Sequence, residues 1–140
     1  MSKRRVVITG MGIISPVGKT VPEAWNNIID GNSGVSPIAK FDTKDFETKF
    51  AATVNFNPED HLDKKEIRRV DEFIQFGLIA SDQCVIDSGL NLEEEDLNRI
   101  GVSIGSGIGG LRTIEENKLL LDTKGPKKIS PFFVPGAISN

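Results

Sequence analysis

The sequence of 140 residues contains one cysteine, Cys84, and one histidine, His61. A single cysteine excludes an internal disulfide framework and a zinc site built from several cysteines. A single histidine excludes a histidine-rich metal site. The composition therefore predicts a protein without a resident metal ion.

Long apolar runs and an excess of positive charge are also missing. No apolar run approaches the roughly 18 residues that a membrane-spanning helix needs, and the N-terminal Met-Ser-Lys-Arg-Arg leads directly into a strand pattern rather than a signal peptide. The formal net charge of −3 leaves no surplus of cations to displace counterions from nucleic-acid phosphates. We expect a cytoplasmic protein that enters no membrane and binds no nucleic acid.

The first part of the chain predicts a strand, a loop and a short helix. Residues 3–10 pass from charged side chains to a β-branched run, which is typical of a buried strand. Thr20 and Glu23 form a capping-box pattern, with Pro22 in the first helical turn. The helix has an apolar stripe and ends at Gly31. Residues 32–60 are irregular, and the best strand candidate among them is 50–54.

The longest predicted helix covers residues 64–88, with Asp63 and Glu66 as its capping box. Small residues at Gly77 and Ser81 predict a notch in its apolar face where another backbone could approach closely. An acidic run over 93–96 follows and predicts a solvated turn or helix start. The predicted order of elements is strand, helix, helix, strand, helix. This order is typical of an α/β protein, here with only about two core strands.

Four glycines lie within Gly105–Gly110, between a predicted strand over 99–104 and a helix that begins near Leu111. So many residues without Cβ indicate an unusual backbone or a close approach. We call residues 105–110 the elbow. Gly105, Gly107 and Gly110 match the weak GxGxxG pattern of dinucleotide sites. The acidic residue that should end a second strand is missing, because Asp122 ends a helix, so a structural or acyl-lining role competes with nucleotide binding.

The chain from Gly125 onward carries a large apolar cluster, Phe132, Phe133 and Val134, between two prolines. The sequence offers no partner element to bury these side chains. Exposed clusters of this kind usually belong to an interface, so we predict one here.

Four motifs, taken in order, resemble the N-terminal portion of the bacterial β-ketoacyl-acyl carrier protein synthases of the type II elongating class. They are Val-Val-Ile-Thr-Gly-Met-Gly over 6–12, Gly-Asn-Ser-Gly over 31–34, the elbow, and Lys-Ile-Ser-Pro-Phe-Phe-Val-Pro over 128–135. Each is modest alone, and together they are specific. The resemblance covers the whole chain, so residues 1–140 are expected to be one N-terminal segment of a thiolase-like condensing domain.

The resemblance implies an α/β class, namely part of a layered αβαβα thiolase fold that is incomplete on its own. Members of the family are homodimers that use no cofactor and extend fatty acyl chains by decarboxylative Claisen condensation with malonyl-acyl carrier protein. A cysteine thiolate holds the acyl group, and two histidines and a lysine assist. The resemblance places this catalytic set beyond residue 140. Cys84 is then a core cysteine and His61 a surface residue, so no catalytic residue is expected within the chain.

The resemblance also assigns binding roles to particular positions. Gly107 and Ile108 at the elbow correspond to the acyl pocket, and Phe133 corresponds to an aromatic side chain that reaches into the partner subunit's pocket. Five basic residues correspond to docking positions for the acidic acyl carrier protein in its acyl and malonyl forms: Lys65, Arg68, Arg69, Lys127 and Lys128. A basic helix face on an acidic chain fits this role. A non-catalytic module that binds acyl chains or acyl carrier protein is the alternative.

Overall fold

The computed structural model describes residues 3–138, so the two residues at each end of the predicted 1–140 segment lie outside the described residues. The chain divides into two compact units. The first unit contains residues 3–56 and Ala80–Gly89, and the second contains Asn57–Ile79 and residues 90–138.

In the first unit, helix α1 covers Val21–Ile29 and begins as predicted. The Thr20 side chain accepts a hydrogen bond from the Glu23 N–H, and the chain leaves the helix through Gly31 at φ 71°. The Glu23 carboxylate, however, accepts from the Lys19 N–H at 2.7 Å rather than from Thr20. The carboxylate thus satisfies a donor one residue before the one that the capping box predicts.

Strands β1, Val35–Pro37, and β2, Phe50–Ala52, form an antiparallel pair in which Val35 faces Ala52. The predicted strand over 50–54 is therefore confirmed in place but is shorter. The strand predicted over 3–10 is wrong for this structure, because those residues pair with no strand among the described residues, and Val6 is 91% exposed. A β-branched run without a partner strand has no ladder of hydrogen bonds to hold it in a sheet.

The predicted helix over 64–88 is two helices, α2 over Lys64–Ile67 and α3 over Glu72–Ser88. At the break, the Asp71 N–H donates to the Gly136 carbonyl, near the C-terminal end of the chain, at 3.1 Å instead of to a carbonyl of the preceding helical turn. The buried Gln75 side chain then donates to the Val70 carbonyl at 3.1 Å, which satisfies one acceptor that the break leaves open. Asp63 is the N-cap residue of α2, but its side chain makes no capping hydrogen bond, so that part of the prediction is wrong.

The close backbone approach also differs from the prediction. No other group lies within 4 Å of a Cβ built on Gly77, whereas a Cβ on Gly12 would lie 1.9 Å from the Ala80 carbonyl oxygen and one on Gly10 would lie 2.3 Å from that of Cys84. The glycines that permit close packing in the first unit are thus in the loop that follows residue 9, and the helix presents Ala80 and Cys84 to them. A pattern within one helix could not identify this contact.

In the second unit, helix α4 covers Leu111–Lys124 and ends at Gly125, which has φ 79°. A short 3-10 helix over Pro126–Lys128 and helix α5 over Phe133–Ala137 follow. The acidic run is exposed, as predicted, and precedes a 3-10 helix over Leu97–Arg99 that Asp96 caps. The strand predicted over 99–104 is absent from the described residues, where Val102 is 85% exposed and has no strand partner.

Candidate functional site

The elbow is held to α5 and to the start of α3 by backbone and carboxylate hydrogen bonds. The Gly110 N–H donates to the Ala137 carbonyl at 2.9 Å, and the Gly109 N–H donates to the Ser106 hydroxyl at 3.1 Å. The Asp71 carboxylate oxygen Oδ2 accepts from the Thr113 N–H at 3.1 Å and from the Thr113 hydroxyl at 2.6 Å. Asp71 thus caps α4 from outside that helix, since Gly110 has no side chain with which to do so.

Only two of the four elbow glycines are required by packing. Gly109 has φ 86°, and a Cβ there would lie 2.8 Å from the Ala137 carbonyl oxygen. A Cβ on Gly110 would lie 2.9 Å from Asp71 Oδ2. Apart from the chain neighbours, no atom of residues 3–138 lies within 4 Å of a Cβ on Gly105 or Gly107. The crowding of glycine therefore reflects close packing at the second half of the elbow and open space at the first half.

The same contacts argue against the dinucleotide hypothesis. A pyrophosphate at a helix N-terminus needs free backbone N–H groups and the positive end of the helix dipole. At α4 the Asp71 carboxylate already occupies that position, and it would repel a second anion. The Gly110 N–H is also taken, by the Ala137 carbonyl.

The predicted acyl-pocket residues are on or next to this assembly. Ile108, at the elbow, is 75% exposed, while Phe133 begins α5 and is half-buried. The neighbouring Phe132 and Val134 are 41% and 59% exposed. The apolar cluster is thus partly exposed on the described chain, which fits the predicted interface without showing a partner.

Arg69, one of the five predicted docking residues, packs against the apolar cluster. Its guanidinium lies over the Phe132 ring, 5.0 Å from the ring centroid, in a cation–π arrangement. The Arg69 backbone also packs against α5, since a Cβ on Gly136 would lie 2.6 Å from the Arg69 carbonyl oxygen. Lys65 and Arg68 are exposed on and just after α2.

The other two predicted docking residues, Lys127 and Lys128, are exposed on the 3-10 helix that follows α4. Buried Asn117 fixes the chain just after them, because its side-chain oxygen accepts from the Ser130 N–H at 3.1 Å and its side-chain N–H donates to the Thr113 carbonyl at 2.8 Å. The two lysines therefore belong to a turn that is anchored on α4.

A further charged pair lies on the first turns of α4. The Arg112 guanidinium donates to the Glu116 carboxylate at 2.8 Å. This hydrogen bond, with the attraction of the same carboxylate, raises the pKa of Arg112. An arginine is protonated at all ordinary pH values, so the guanidinium of Arg112 keeps its charge and the raised pKa has no functional consequence.

The surroundings of Cys84 and His61 are not those of a catalytic nucleophile or a metal ligand. The Cys84 thiol donates to the Gly10 carbonyl at 3.3 Å and lies in the last turns of α3, away from a helix N-terminus of the kind that activates catalytic cysteines. His61 is exposed beside a 3-10 helix. Among residues 3–138 no group of three or more histidine, cysteine or carboxylate side chains is placed to hold a metal ion.

The first unit also contains an open polar cleft of about 200 Å³ that the sequence did not predict. Its lining consists of the loop over 15–19 and polar side chains that include Glu23, Asn27 and Asn55. Several of these groups bond to one another: Asn27 donates to the Val17 carbonyl at 2.7 Å and accepts from Asn32 at 2.9 Å. The cleft contains none of the predicted site residues.

No helix within the described part of the chain is both long and apolar enough to span a bilayer.

Three residues around the elbow were missed by sequence reasoning: Asp71, Thr113 and Asn117. Asp71 falls inside what the sequence presents as one continuous helix, so its role as a cap for another helix had no local pattern. The sequence contains one weak signal for such a cap. Two glycines precede α4 and have no side chain to cap it, so the first turn of α4 needs a hydrogen-bond acceptor from elsewhere in the chain.

Comparison with known proteins identifies the family. The model of the beta-ketoacyl synthase N-terminal domain matches residues 3–140. The chain is 53% identical over 141 residues to 3-oxoacyl-[acyl-carrier-protein] synthase 2 of Vibrio cholerae serotype O1, a match that covers 100% of this chain and 34% of that relative. It is 48% identical over 134 residues to the protein of the same name from Staphylococcus aureus strain COL, covering 94% of this chain and 32% of that relative. The chain spans about a third of the length of these curated relatives.

Solved structures agree with the fold. A beta-ketoacyl synthase from Burkholderia phymatum STM815 superposes with a TM-score of 0.76 at 23% identity, over 97% of this chain and 34% of that one. A type II PKS acyl-carrier protein in complex with its ketosynthase bound to the hexaketide gives a TM-score of 0.75 at 24% identity, over 97% of this chain and 35% of that one. These neighbours confirm the predicted α/β class as part of a thiolase fold. The chain belongs to the beta-ketoacyl synthase family, as a match to its N-terminal domain.

Proposed function

We propose that this chain is the N-terminal segment of an enzyme that elongates fatty acyl chains by decarboxylative Claisen condensation with malonyl-acyl carrier protein. The observation that carries the proposal is the 53% identity, over the whole chain, to 3-oxoacyl-[acyl-carrier-protein] synthase 2 of Vibrio cholerae. The protein is then an acyltransferase of lipid metabolism that needs no cofactor.

In this reaction the acyl group is a thioester on a cysteine, and loss of carbon dioxide from the malonyl group leaves an enolate. The enolate carbon attacks the thioester carbonyl, and the cysteine thiolate is released. Such a cysteine gains from a helix N-terminus that lowers its pKa. Cys84 lies at the opposite end of its helix and does not suit this role. The resemblance to the family implies that the catalytic cysteine, its two histidines and its lysine lie outside residues 1–140.

The exposed apolar runs support the proposal that the chain is one segment of a larger domain. Val6, Ile8 and Val102 are 91%, 84% and 85% exposed, and all three lie in stretches whose composition is typical of buried strands. Contiguous exposed apolar surface on this scale marks an interface. We expect the remaining part of the thiolase-like domain to pair with these stretches and cover them.

Within that domain, Gly107 and Ile108 line the acyl pocket. The open space around Gly107 and the exposure of Ile108 support this assignment, because neither position is filled by the chain's own packing. Phe133 contributes from the second subunit of a homodimer, and the exposure of its neighbours Phe132 and Val134 supports an interface there.

The acidic acyl carrier protein docks on the five basic residues, Lys65, Arg68, Arg69, Lys127 and Lys128. The exposure of these residues supports the proposal. Both segments that carry them are also held in place: Arg69 contacts the Phe132 ring, and the chain just after Lys128 is bonded to the Asn117 side chain. Fixed positive charge on an acidic chain attracts an acidic partner over distances of about a Debye length. Both partners are expected in the cytoplasm.

The activity is tested with the full-length protein, acyl-acyl carrier protein and malonyl-acyl carrier protein that carries radiolabel. We expect a labelled 3-oxoacyl product and stoichiometric release of carbon dioxide. A stable complex with acyl carrier protein but without carbon dioxide release would contradict this proposal and favour the non-catalytic binding module.

Docking is tested by charge reversal at Arg68, because Arg69 would also lose its contact with Phe132. Arg68→Glu should weaken the affinity for acyl carrier protein about fivefold at low ionic strength, and the difference should shrink as salt screens the interaction. Lys44→Glu reverses the charge of a residue in the first unit that is also exposed; it is the matched control and should leave the affinity unchanged. Equal effects of the two variants would mean that only net charge matters.

A further inference from the structure

Asp71 joins three segments of the second unit. Its carboxylate caps α4 through Thr113, and its backbone N–H donates to the Gly136 carbonyl of α5 at 3.1 Å. Its carbonyl accepts from the Gln75 N–H at 3.2 Å and thereby begins α3. One residue thus fixes the helix that leaves the elbow, the helix that carries Phe133 and the helix to which it belongs.

The three segments are packed so closely that small shifts are resisted. A Cβ on Gly110 would contact both Asp71 Oδ2, at 2.9 Å, and the Ala137 Cα, at 3.0 Å. The Gly110 N–H also donates a hydrogen bond to the Ala137 carbonyl, which joins the elbow directly to α5. A network in which backbone groups on both sides are satisfied has one well-defined geometry, and removal of one member leaves buried or half-buried partners unpaired.

Ile108 depends on this network for its position. Its side chain is 75% exposed on the described chain, so its placement follows from the elbow backbone rather than from side-chain packing. The backbone from Gly109 to Thr113 is in turn fixed by Ser106, Ala137 and Asp71. A displacement of α4 would therefore move Ile108 relative to α5 and Phe133.

We propose that Asp71 is a positioning residue that sets the placement of Ile108 relative to α5 and thereby the acyl-chain-length selectivity of the enzyme. The inference rests on the proposed function for the assignment of Ile108 to the acyl pocket. Asp71 touches no substrate: it acts through Thr113 and the elbow. Its loss changes which acyl chains the pocket accepts more than it changes the condensation step itself.

The test measures kcat/KM of the full-length protein for a short and a long acyl-acyl carrier protein. Thr113→Val removes the 2.6 Å hydroxyl bond to Asp71 while it keeps the backbone N–H and the side-chain shape. Asp71→Ala removes both bonds. We expect the ratio of the two kcat/KM values to change about threefold in the first variant and tenfold in the second, mainly through KM for the long chain. Thr113→Ser should restore the wild-type ratio.

Thr123→Val is the matched control, because Thr123 is on the same helix and its hydroxyl donates to the Leu119 carbonyl of that helix rather than to Asp71. It should leave the ratio unchanged. Hydrogen exchange at the Gly110 and Thr113 amides is measured in parallel, and Asp71→Ala should speed both. If Asp71→Ala does not fold, Thr113→Val and Thr113→Ser decide the question alone.

The outcomes separate the two proposals. A wild-type protein with no condensing activity refutes the proposed function, and unchanged amide exchange at Gly110 and Thr113 in Asp71→Ala then refutes the positioning role as well. An active wild type whose variants lose kcat/KM equally for both chain lengths, or lose only thermal stability, leaves the proposed function standing and overturns the role of Asp71 in selectivity.

Discussion

The elbow geometry predicts that Gly109 tolerates alanine poorly, although Gly105 in the same glycine run tolerates it well. Gly109 has φ 86°, in the left-handed region that costs an L residue about 1–2 kcal/mol. The new Cβ would also lie 2.8 Å from the Ala137 carbonyl oxygen, which already accepts from the Gly110 N–H. Displacement of that oxygen weakens a hydrogen bond worth about 0.5–1.5 kcal/mol. The combined local cost is about 1.5–3.5 kcal/mol.

Two matched variants separate the contributions. Gly125 has φ 79° and ψ 172°, a conformation nearly confined to glycine, and no described group lies within 4 Å of a Cβ there, so Gly125→Ala carries a conformational cost alone, about 1–3 kcal/mol. Gly105 has neither a left-handed φ nor a neighbour within 4 Å. Gly105→Ala should be neutral or slightly stabilising, because alanine reduces the freedom of the unfolded chain.

Hydrogen exchange of the full-length protein is the suitable measurement, because it reports local opening at individual amides and does not require the protein to unfold in a single step. Gly109→Ala should speed exchange of the Gly110 amide about tenfold or more, the factor that corresponds to about 1.4 kcal/mol. Gly105→Ala should leave it within about twofold. If Gly109→Ala exchanges no faster than Gly105→Ala, the contact between the elbow and α5 is not as the structure has it.

Three further predictions concern the rest of the chain. Gln75→Leu leaves the Val70 carbonyl without its 3.1 Å donor and should destabilise the break between α2 and α3 by about 1–3 kcal/mol, measured by exchange of the amides over 68–75. Thr20→Ala should destabilise α1 by only about 0.5 kcal/mol, the low end for an N-cap, because its bond to the Glu23 N–H is long at 3.4 Å; exchange over 21–24 measures this. Cys84→Ala should leave acyl loading of the full-length protein unchanged by mass spectrometry, whereas a lost adduct would identify Cys84 as the nucleophile.

Local signals predicted the parts of the fold that local interactions decide. Thr20 as a cap and Gly31 after the last turn gave α1 with its correct start and end. The apolar spacing after Leu111 and the left-handed Gly125 did the same for α4. In each case the residues that begin and end the helix lie within a few positions of it, so a sequence pattern contains the whole explanation.

Predictions that required a partner element failed where the described chain supplies none. A β-branched run becomes a strand only when another strand satisfies its N–H and C=O groups. Residues 6–8 and 102–104 have the composition of buried strands but no strand partner among the described residues. The apolar stripe of α1 shows the same limit, since Trp25 and Ile29 are each 62% exposed. Periodicity identified these apolar faces correctly but could not say what covers them.

The break between α2 and α3 connects this limit to the candidate site. The sequence over 64–88 favours one helix, and a continuous helix would commit the Asp71 N–H to the Ile67 carbonyl. The fold instead directs that N–H to Gly136 and provides Gln75 to satisfy the exposed end of the preceding turn. The interruption leaves Asp71 at the start of α3, where its carboxylate can cap α4. A helix without the break would give up this cap, so the local irregularity that sequence periodicity could not predict is what holds the elbow in place.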